Sequence, residues 1–398
     1  TAWSLITIQP TAPLSAVERA RCGSVAAHWA GVADAAAQGL PVIVCYATFV
    51  TKRWLLGLSA ALHGIPLVLV GHGLEWDRSG RGAVKIPAMR RAVQLLVDST
   101  APGASDVLLV FADAADTLVA NDPRAGLLKA TLRSLRLRAD EDVLVSAECN
   151  SWPRCYTQDY ERAAHTLVSR CIQDHQRGQF AACFPNSGVY AGTGTALLSW
   201  LAMVGSTAAV QSGVEHDDDQ AAVQRVLLAN RRPQTVLDSS SSLFLSLYPC
   251  PFSTSAWNLS SSGDAPCPQS RRGHLPIEHV RGRGLNLTLY DGSVLRHGRL
   301  RRPRRPLLVH GNGLHWSLDV LLSQWEAQSN ASVGGPGLKP QLWPPHATLL
   351  DHPVLLLDSR SRGVCNVSTL GELLPPGVRK MSRHVSRVPE RLRARGHR

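Results

Sequence analysis

The sequence predicts a mixed α/β fold built on a largely parallel, doubly wound sheet with helices on both faces. Short runs that are apolar throughout, such as PVIVCYATF and IPLVLVGHG, alternate along the chain with segments of helical spacing. Strands that are apolar at every position are typical of parallel sheets, whose two faces are both covered. With 44% hydrophobic and 18% charged residues in 398, the chain can bury one large core or two modest ones.

The first half of the chain supplies most of the predicted elements. The strand PVIVCYATF, the helix RWLLGLSAALHG ending at Gly64 and the strand IPLVLVGHG form a βαβ unit. Two further strands are predicted at VLLVFADAAD and DVLVSAE. Helical spacing recurs in residues 87–97, 125–135, 160–176 and 195–204. This alternation of strands and helices favours a doubly wound sheet.

The second half is richer in Ser, Pro and Gly and predicts more loop. Residues 239–242 and 250–273 are loop-like, and LNLTLYDGSVLRHG predicts a hairpin around Asp291 and Gly292. A short strand is expected at residues 306–309, and VGGPGLKPQLWPP is typical of a linker. We therefore divide the chain into an N-terminal flank (1–39), one α/β domain (40–330, with an insert at about 250–305) and a Pro/Gly-rich basic tail (331–398).

The formal charge of +12 is concentrated in two segments. Residues 296–305 carry six arginines, and residues 379–398 carry eight Lys/Arg against one Glu. Together these segments account for +13, so the rest of the chain carries −1. A near-neutral folded part argues against a nucleic-acid groove. We expect no nucleic-acid partner, and membrane contact only through the basic tail or a missing N-terminal anchor.

Several features fit a protein of the secretory pathway lumen, in the endoplasmic reticulum or Golgi. No leader and no run of eighteen apolar residues is visible, and a missing N-terminal segment would explain the start at Thr1. The nine cysteines include two closely spaced pairs, Cys149/Cys155 and Cys250/Cys267, either of which an oxidising lumen would allow to bridge. Four Asn-x-Ser/Thr sequons occur, at Asn258, Asn286, Asn330 and Asn366.

Two aspartates close the strand VLLVFADAAD. Asp113 and Asp116 lie three residues apart at its carboxyl end, where ligands collect in open α/β sheets. Two hard oxygen ligands in a tight turn suit Mg²⁺ or Mn²⁺ bound to a diphosphate. The alternative interpretation is a solvated loop with an Asx-turn.

Other polar groups follow predicted strands. Glu148 ends DVLVSAE, and Asn186-Ser187-Gly188 offers small residues where a ligand can approach backbone amides. Residues 217–219 are three consecutive aspartates, and His310 follows the strand PLLV. Each has a structural alternative: aspartates at a solvated helix start favour the helix dipole, and a lone histidine after a strand is often structural.

The order of these motifs resembles the glycosyltransferase domain of the procollagen lysyl hydroxylases. The resemblance runs from about residue 42 to residue 325. It rests on GLEW, FADAADTLVANDP, VLVSAECNSWP, FPNSGVYAG, HDDDQ, LDSSSSLF and PLLVHGNG. It implies a GT-A-like, Rossmann-like fold, a UDP-sugar as donor substrate and Mn²⁺ as cofactor.

The resemblance also implies roles for individual residues. Asp113, Asp116 and His310 would ligate Mn²⁺, and this set of two carboxylates and an imidazole suits that ion. The metal, with Thr48 and Trp76, would bind the nucleotide. We assign Asn186 and Gly311 to cofactor binding as well. Asp218 and Asp219 would lie near sugar and acceptor, one orienting the donor or acting as base; the sequence leaves open which.

The predicted function is hexose transfer from a UDP-sugar to a hydroxyl of a protein or glycan acceptor, such as hydroxylysine or a hydroxylysine-linked sugar. The Asp run begins Glu215-His216, Ser151 stands where the family has Cys, and the insert at 250–305 is long, so parts of the pattern differ from the family. No iron-binding His-x-Asp constellation is seen, so lysyl hydroxylation is not predicted. The alternative is a catalytically silent binding or scaffold protein. No GxxxxGK[ST] motif supports a P-loop enzyme.

Overall fold

A computed structural model describes the following parts of the chain: residues 38–48, 54–72, 81–99, 107–123, 132, 137–138, 141–148, 182–209, 219–229, 232–246, 288–290, 293–295, 306–311, 352–357 and 365–373. The strands in these ranges are β1 Val42–Tyr46, β2 Leu67–Val70, β3 Leu108–Asp113, β4 Thr117–Val119, β5 Asp142–Glu148, β6 Phe184–Thr193, β7 Gln234–Asp238, β8 Phe244–Ser246, β9 Thr288–Tyr290, β10 Ser293–Leu295, β11 Leu308–His310, β12 Pro353–Leu357 and β13 Cys365–Thr369. The helices are α1 Leu55–Leu62, α2 Arg81–Ser99, α3 Gly194–Ala209, α4 Asp219–Ala229 and α5 Leu370–Leu373.

The described strands form a mixed, mostly parallel central sheet. Its order is β13-β12-β2-β1-β3-β6-β5-β7. Six of these strands run in one direction, and β6 and β13 run against it. The predicted α/β fold with a mostly parallel sheet is confirmed at this level. A second sheet, in the order β4-β11-β8, carries part of the polar centre described below.

The predicted βαβ unit is confirmed in β1, α1 and β2. The two strands pair in parallel, with Ile43 opposite Leu67. Gly64 follows the helix with a φ of 63°, a left-handed conformation that glycine adopts without steric cost. This turn directs the chain back into the sheet beside the strand it left.

Helices cover both faces of the central sheet. In β1, Val42 and Val44 pack into the core under α2, α3 and α4, whereas Ile43 and Cys45 pack into the core that contains α1. Phe244 of β8, in the three-stranded sheet, also packs into this second core. Since both faces are buried, every position of β1 is apolar, as the sequence indicates.

Two strands of the sheet come from the stretch predicted to be a tail. β12 pairs in parallel with β2, and β13 pairs antiparallel with β12. The boundary at residue 330 is therefore wrong, because the sheet continues to residue 369. The run Val354-Leu355-Leu356-Leu357 is long enough for a buried strand, and Val354 and Leu355 are fully buried.

Helix α2 begins earlier than predicted. Helical spacing in the sequence predicts this helix from residue 87, but the helix begins at Arg81 and contains Pro87 in its interior. The additional turns hold Lys85, which is buried. No helix in the described part of the chain has the length and apolarity needed to cross a membrane.

The remaining predictions divide into two groups. The hairpin is confirmed, with Ser293 opposite Tyr290 across a two-residue connection, and the last short strand is β11. Most of the helix at 125–135, the helix at 160–176, the loop at 250–273, the linker and both closely spaced cysteine pairs lie outside the described residues. Cys183 is disulfide-bonded, and Cys45 is a buried free thiol whose pKa is raised by burial.

Candidate metal centre

Three metal-ligating side chains meet at the carboxyl end of the central sheet. Asp113 is the last residue of β3, and Asp116 lies in the turn that connects β3 to β4. β11 pairs antiparallel with β4 and places its last residue, His310, opposite Thr117. The N–H of Gly311 donates to the carbonyl of Asp116 at 2.7 Å, which fixes His310 and Gly311 against the DxxD turn.

The spacing of these side chains suits a metal ion. One ligand atom from each of Asp113, Asp116 and His310 lies within 4.8 Å of the other two. His310 Nε2 is 3.4 Å from Asp116 Oδ1 and 3.8 Å from Asp113 Oδ2. Neither ring nitrogen makes a well-formed hydrogen bond within the described residues, although the ring is buried. A buried imidazole facing two carboxylates fits a divalent cation, so this group could hold one.

A glycine leaves the space for this arrangement. Gly188 lies in β6, where the strand passes the triad. A Cβ atom at this position would lie 2.7 Å from His310 Nε2 and 2.8 Å from Asp113 Oδ2. Since such contacts are shorter than any van der Waals separation, only glycine lets the strand approach this closely.

The local field is strongly negative at His310. Burial alone would lower the pKa of its imidazole, but the nearby charges of Asp116, Asp113 and Glu148 outweigh burial and raise it. The same field that favours a proton on the ring favours a metal cation beside it.

A buried lysine joins the triad to the aspartate run. Lys85 Nζ lies 2.8 Å from Asp113 Oδ1 and 2.7 Å from Asp219 Oδ2, and 4.8 Å from the centre of the Phe111 ring. Burial would lower the pKa of Lys85, but the two carboxylates raise it, so the ammonium is charged. Asp219 opens α4 and also accepts from the Ser187 hydroxyl.

The fourth carboxylate of this centre, Glu148, is fixed by two amides. Asn186 Nδ2 donates to Glu148 Oε2 at 3.2 Å, and Gln220 Nε2 donates to Glu148 Oε1. Asn186 Oδ1 in turn accepts from the Gly188 N–H at 2.8 Å. Glu148 is only 2% exposed, so its charge acts within the protein and reaches His310.

The charges of this centre do not balance. With every carboxylate ionised, Asp113, Asp116, Glu148 and Asp219 carry a formal −4 and Lys85 +1, which gives a formal net charge of −3 with His310 neutral. Buried charges are costly without compensation. A divalent cation among Asp113, Asp116 and His310 would reduce the imbalance to −1.

The predicted site residues fall into three groups. Asp113, Asp116 and His310 come together, and Gly311 is attached to Asp116 through its backbone. Asp219 is connected to this triad through its ion pair with Lys85. Asn186 is connected to it through hydrogen bonds with Glu148 and with the N–H of Gly188. Thr48 is buried two residues beyond Tyr46, the register partner of Asp113. Trp76 and Asp218 lie outside the described residues.

Comparison of the chain with known proteins identifies no family for it. No protein-family model matches the chain, and no curated protein matches it either. The chemistry of the site therefore rests on its residues and their geometry.

Sequence reasoning did not identify Lys85 or Gln220, and it noted Glu148 without assigning it a role. One signal could have revealed Lys85: it replaces an apolar residue in the buried stripe of α2. The stripe continues at helical spacing through Met89, Ala92 and Leu96, all buried. A lone cation in such a stripe needs a buried anionic partner, and here it has two.

Proposed function

We propose that this protein is a metal-dependent glycosyltransferase of GT-A-like fold that moves a hexose from a UDP-sugar to a hydroxyl acceptor. The observation that carries the proposal is the buried group Asp113, Asp116 and His310 at the carboxyl end of β3. Open α/β sheets bind their ligands at this end. The imbalance of negative charge around the triad supports a cation there, and the motif order that resembles the procollagen glycosyltransferases supports the nucleotide-sugar.

Asp113, Asp116 and His310 would hold the ion, with Mn²⁺ as the proposed metal because the set combines hard oxygens with one imidazole. A bound divalent cation supplies charge compensation to the diphosphate and to the UDP leaving group. Gly188 keeps the space beside these ligands free of side-chain atoms. The nucleotide would lie against Thr48 and Trp76, with Asn186 and Gly311 on the side of the phosphates.

Asp218 and Asp219 are proposed to act on the sugar and the acceptor. Asp219 is held by Lys85 and Ser187, and these contacts, with the N–H of Gln220, lower its pKa although burial alone would raise it. A carboxylate with a lowered pKa is a weak base. We therefore assign Asp219 to orienting the donor sugar and Asp218 to accepting the acceptor proton.

The proposed compartment is the lumen of the endoplasmic reticulum or Golgi. The disulfide at Cys183 supports it, because such bonds persist in oxidising compartments. Hydroxylysine or a hydroxylysine-linked sugar in a collagenous protein is the proposed acceptor. Because the long insert departs from the family pattern, a different hydroxylated protein or a glycan is the alternative acceptor.

A UDP-release assay over a panel of UDP-sugars tests this proposal. We expect release from at least one donor with Mn²⁺ and none with excess chelator, and a higher rate when a hydroxylysine peptide is added. UDP binding without release from any donor would indicate the silent binding protein instead. Absence of both UDP binding and release in folded protein would reject the glycosyltransferase.

A further inference from the structure

Lys85 is the cation of an otherwise acidic centre. It projects from the second turn of α2, with its side chain only 9% exposed, and reaches Asp113 on β3 and Asp219 at the start of α4. Its ammonium also packs over the Phe111 ring. A buried lysine that bridges carboxylates of two separate elements fixes their separation, since neither carboxylate can turn away without leaving an uncompensated buried charge.

The two oxygens of Asp113 have different environments. Oδ1 accepts from Lys85 Nζ at 2.8 Å, whereas Oδ2 faces His310 Nε2 at 3.8 Å and the space above Gly188. We propose that Lys85 is a positioning residue that reserves Asp113 Oδ1, leaves only Oδ2 for the metal, and holds Asp219 in place relative to it. The lysine and the metal thus share one carboxylate.

This sharing has a consequence for metal affinity. A cation already paired with Asp113 repels a second cation at the other oxygen of the same group, and solvent screens this repulsion only in part, because the Asp113 side chain is 33% exposed and that of Lys85 9%. Lys85 therefore weakens metal binding. The position of Asp219 does not depend on the metal, because Lys85 holds this carboxylate whether or not metal is bound.

The consequence for turnover rests on the proposed glycosyl transfer. Without Lys85, Asp219 would lose its ion pair and keep, among the described residues, the Ser187 hydroxyl and the Gln220 N–H as partners. A carboxylate that orients a sugar must be held precisely, so its displacement slows the chemical step. Affinity for the metal and rate of transfer should therefore change in opposite directions.

The test uses Lys85→Met, which keeps an unbranched chain but removes the charge. Manganese binding is measured by titration of the electron paramagnetic resonance signal of free Mn²⁺, without any donor sugar. We expect the Mn²⁺ Kd to fall by about tenfold. At saturating Mn²⁺ this adds about 1.4 kcal/mol to the metal-dependent stabilisation seen in thermal unfolding. The kcat for UDP release should fall by about a hundredfold, with KM for the donor less affected.

Three further variants serve as controls. Arg91→Met makes the same kind of change on the same helix and should leave the Mn²⁺ Kd and kcat unchanged. Lys85→Arg keeps the charge and should keep the Mn²⁺ Kd near wild type. Lys85→Gln is a second neutral variant that can still donate a hydrogen bond, and its Kd should fall like that of Lys85→Met.

An unchanged or higher Mn²⁺ Kd in a folded Lys85→Met protein would overturn the proposal. Failure of both Lys85→Met and Lys85→Gln to fold in the presence of Mn²⁺ would also overturn it. In these variants the bound metal should compensate the negative charge of Asp113 that Lys85 no longer pairs with. If the wild-type protein binds Mn²⁺ but transfers no sugar, the glycosyltransferase fails while the affinity comparison still decides the role of Lys85.

Discussion

The two ends of strand β5 carry carboxylates in opposite electrostatic situations. At its amino end, Asp142 is bound by Arg138, whose Nη2 lies 2.7 Å from Asp142 Oδ1. Glu141 beside it pairs with Arg138 at 2.7 Å and with Arg232 at 2.8 Å. Two arginines match two carboxylates. At the carboxyl end, Glu148 belongs to the centre with four carboxylates and a single lysine.

The two clusters differ in whether their charges balance internally. The amino-end cluster is neutral within its own residues, and its arginines are partly solvated, with Arg138 43% exposed. It needs no ligand. The carboxyl-end centre is largely buried and has a formal charge of −3 with its carboxylates ionised and His310 neutral, so a cation from outside would stabilise it.

The largest effect should come from removing charge at the carboxyl end. Asp113→Asn takes away one proposed ligand and the partner of Lys85. We expect Mn²⁺ affinity and kcat/KM for UDP release each to fall by about a hundredfold or more. Circular dichroism serves as the folding control. Wild-type affinity in this folded variant would remove the triad assignment.

The next effect concerns the space around the triad. Gly188→Ala puts a methyl group against His310 and Asp113, and we expect roughly tenfold weaker Mn²⁺ binding and a stability loss of about 1–3 kcal/mol. Gly205→Ala is the matched control. There the new methyl would meet Ile86 at an ordinary 3.6 Å in the middle of α3, so stability should hold or rise. Equal Mn²⁺ affinity in both variants would show that the close approach at Gly188 is unimportant.

Asp142→Asn tests the opposite end of β5. It removes the charge that Arg138 binds, and we expect a fall of about a few degrees in Tm. Mn²⁺ Kd and kcat should stay at their wild-type values, because the change lies at the other end of the sheet. A change in Mn²⁺ affinity would contradict the separation of the two clusters.

The smallest effect is expected for Arg232→Ala. The Arg232 side chain is 72% exposed in its ion pair with Glu141, so the pair is screened by water and salt. Thermal unfolding at low and at high salt should show no measurable difference from wild type. A clear loss of stability would mean that the amino-end cluster depends on this pair.

The sequence predicts the sheet well where strands are apolar throughout, as β1 and β2 are, or apolar up to a terminal aspartate, as β3 is. It also locates Asp113 and Asp116, because Asp113 ends β3 and Asp116 lies in the turn after it. His310 could be joined to them only through the motif resemblance. Its approach depends on the pairing of β11 with β4, a contact between distant parts of the chain that local pattern does not specify.

Two features could not be predicted from the sequence, for physical reasons. β12 lies between Pro/Gly-rich and basic segments, and its pairing with β2 joins distant parts of the chain, which local pattern does not specify. Lys85 lies before the predicted start of its helix at residue 87, and an isolated lysine is usually solvated. Its role becomes visible only when α2, β3 and α4 are brought together.

Crystals soaked with Mn²⁺ and UDP provide the most direct test of the central claim. An anomalous difference map at the manganese absorption edge should show one strong peak among Asp113 Oδ2, Asp116 Oδ1 and His310 Nε2, with UDP phosphates beside it. Lys85 should still bind Asp113 Oδ1. A map with no peak at the triad, or with UDP bound elsewhere, would contradict the metal-dependent nucleotide-sugar site.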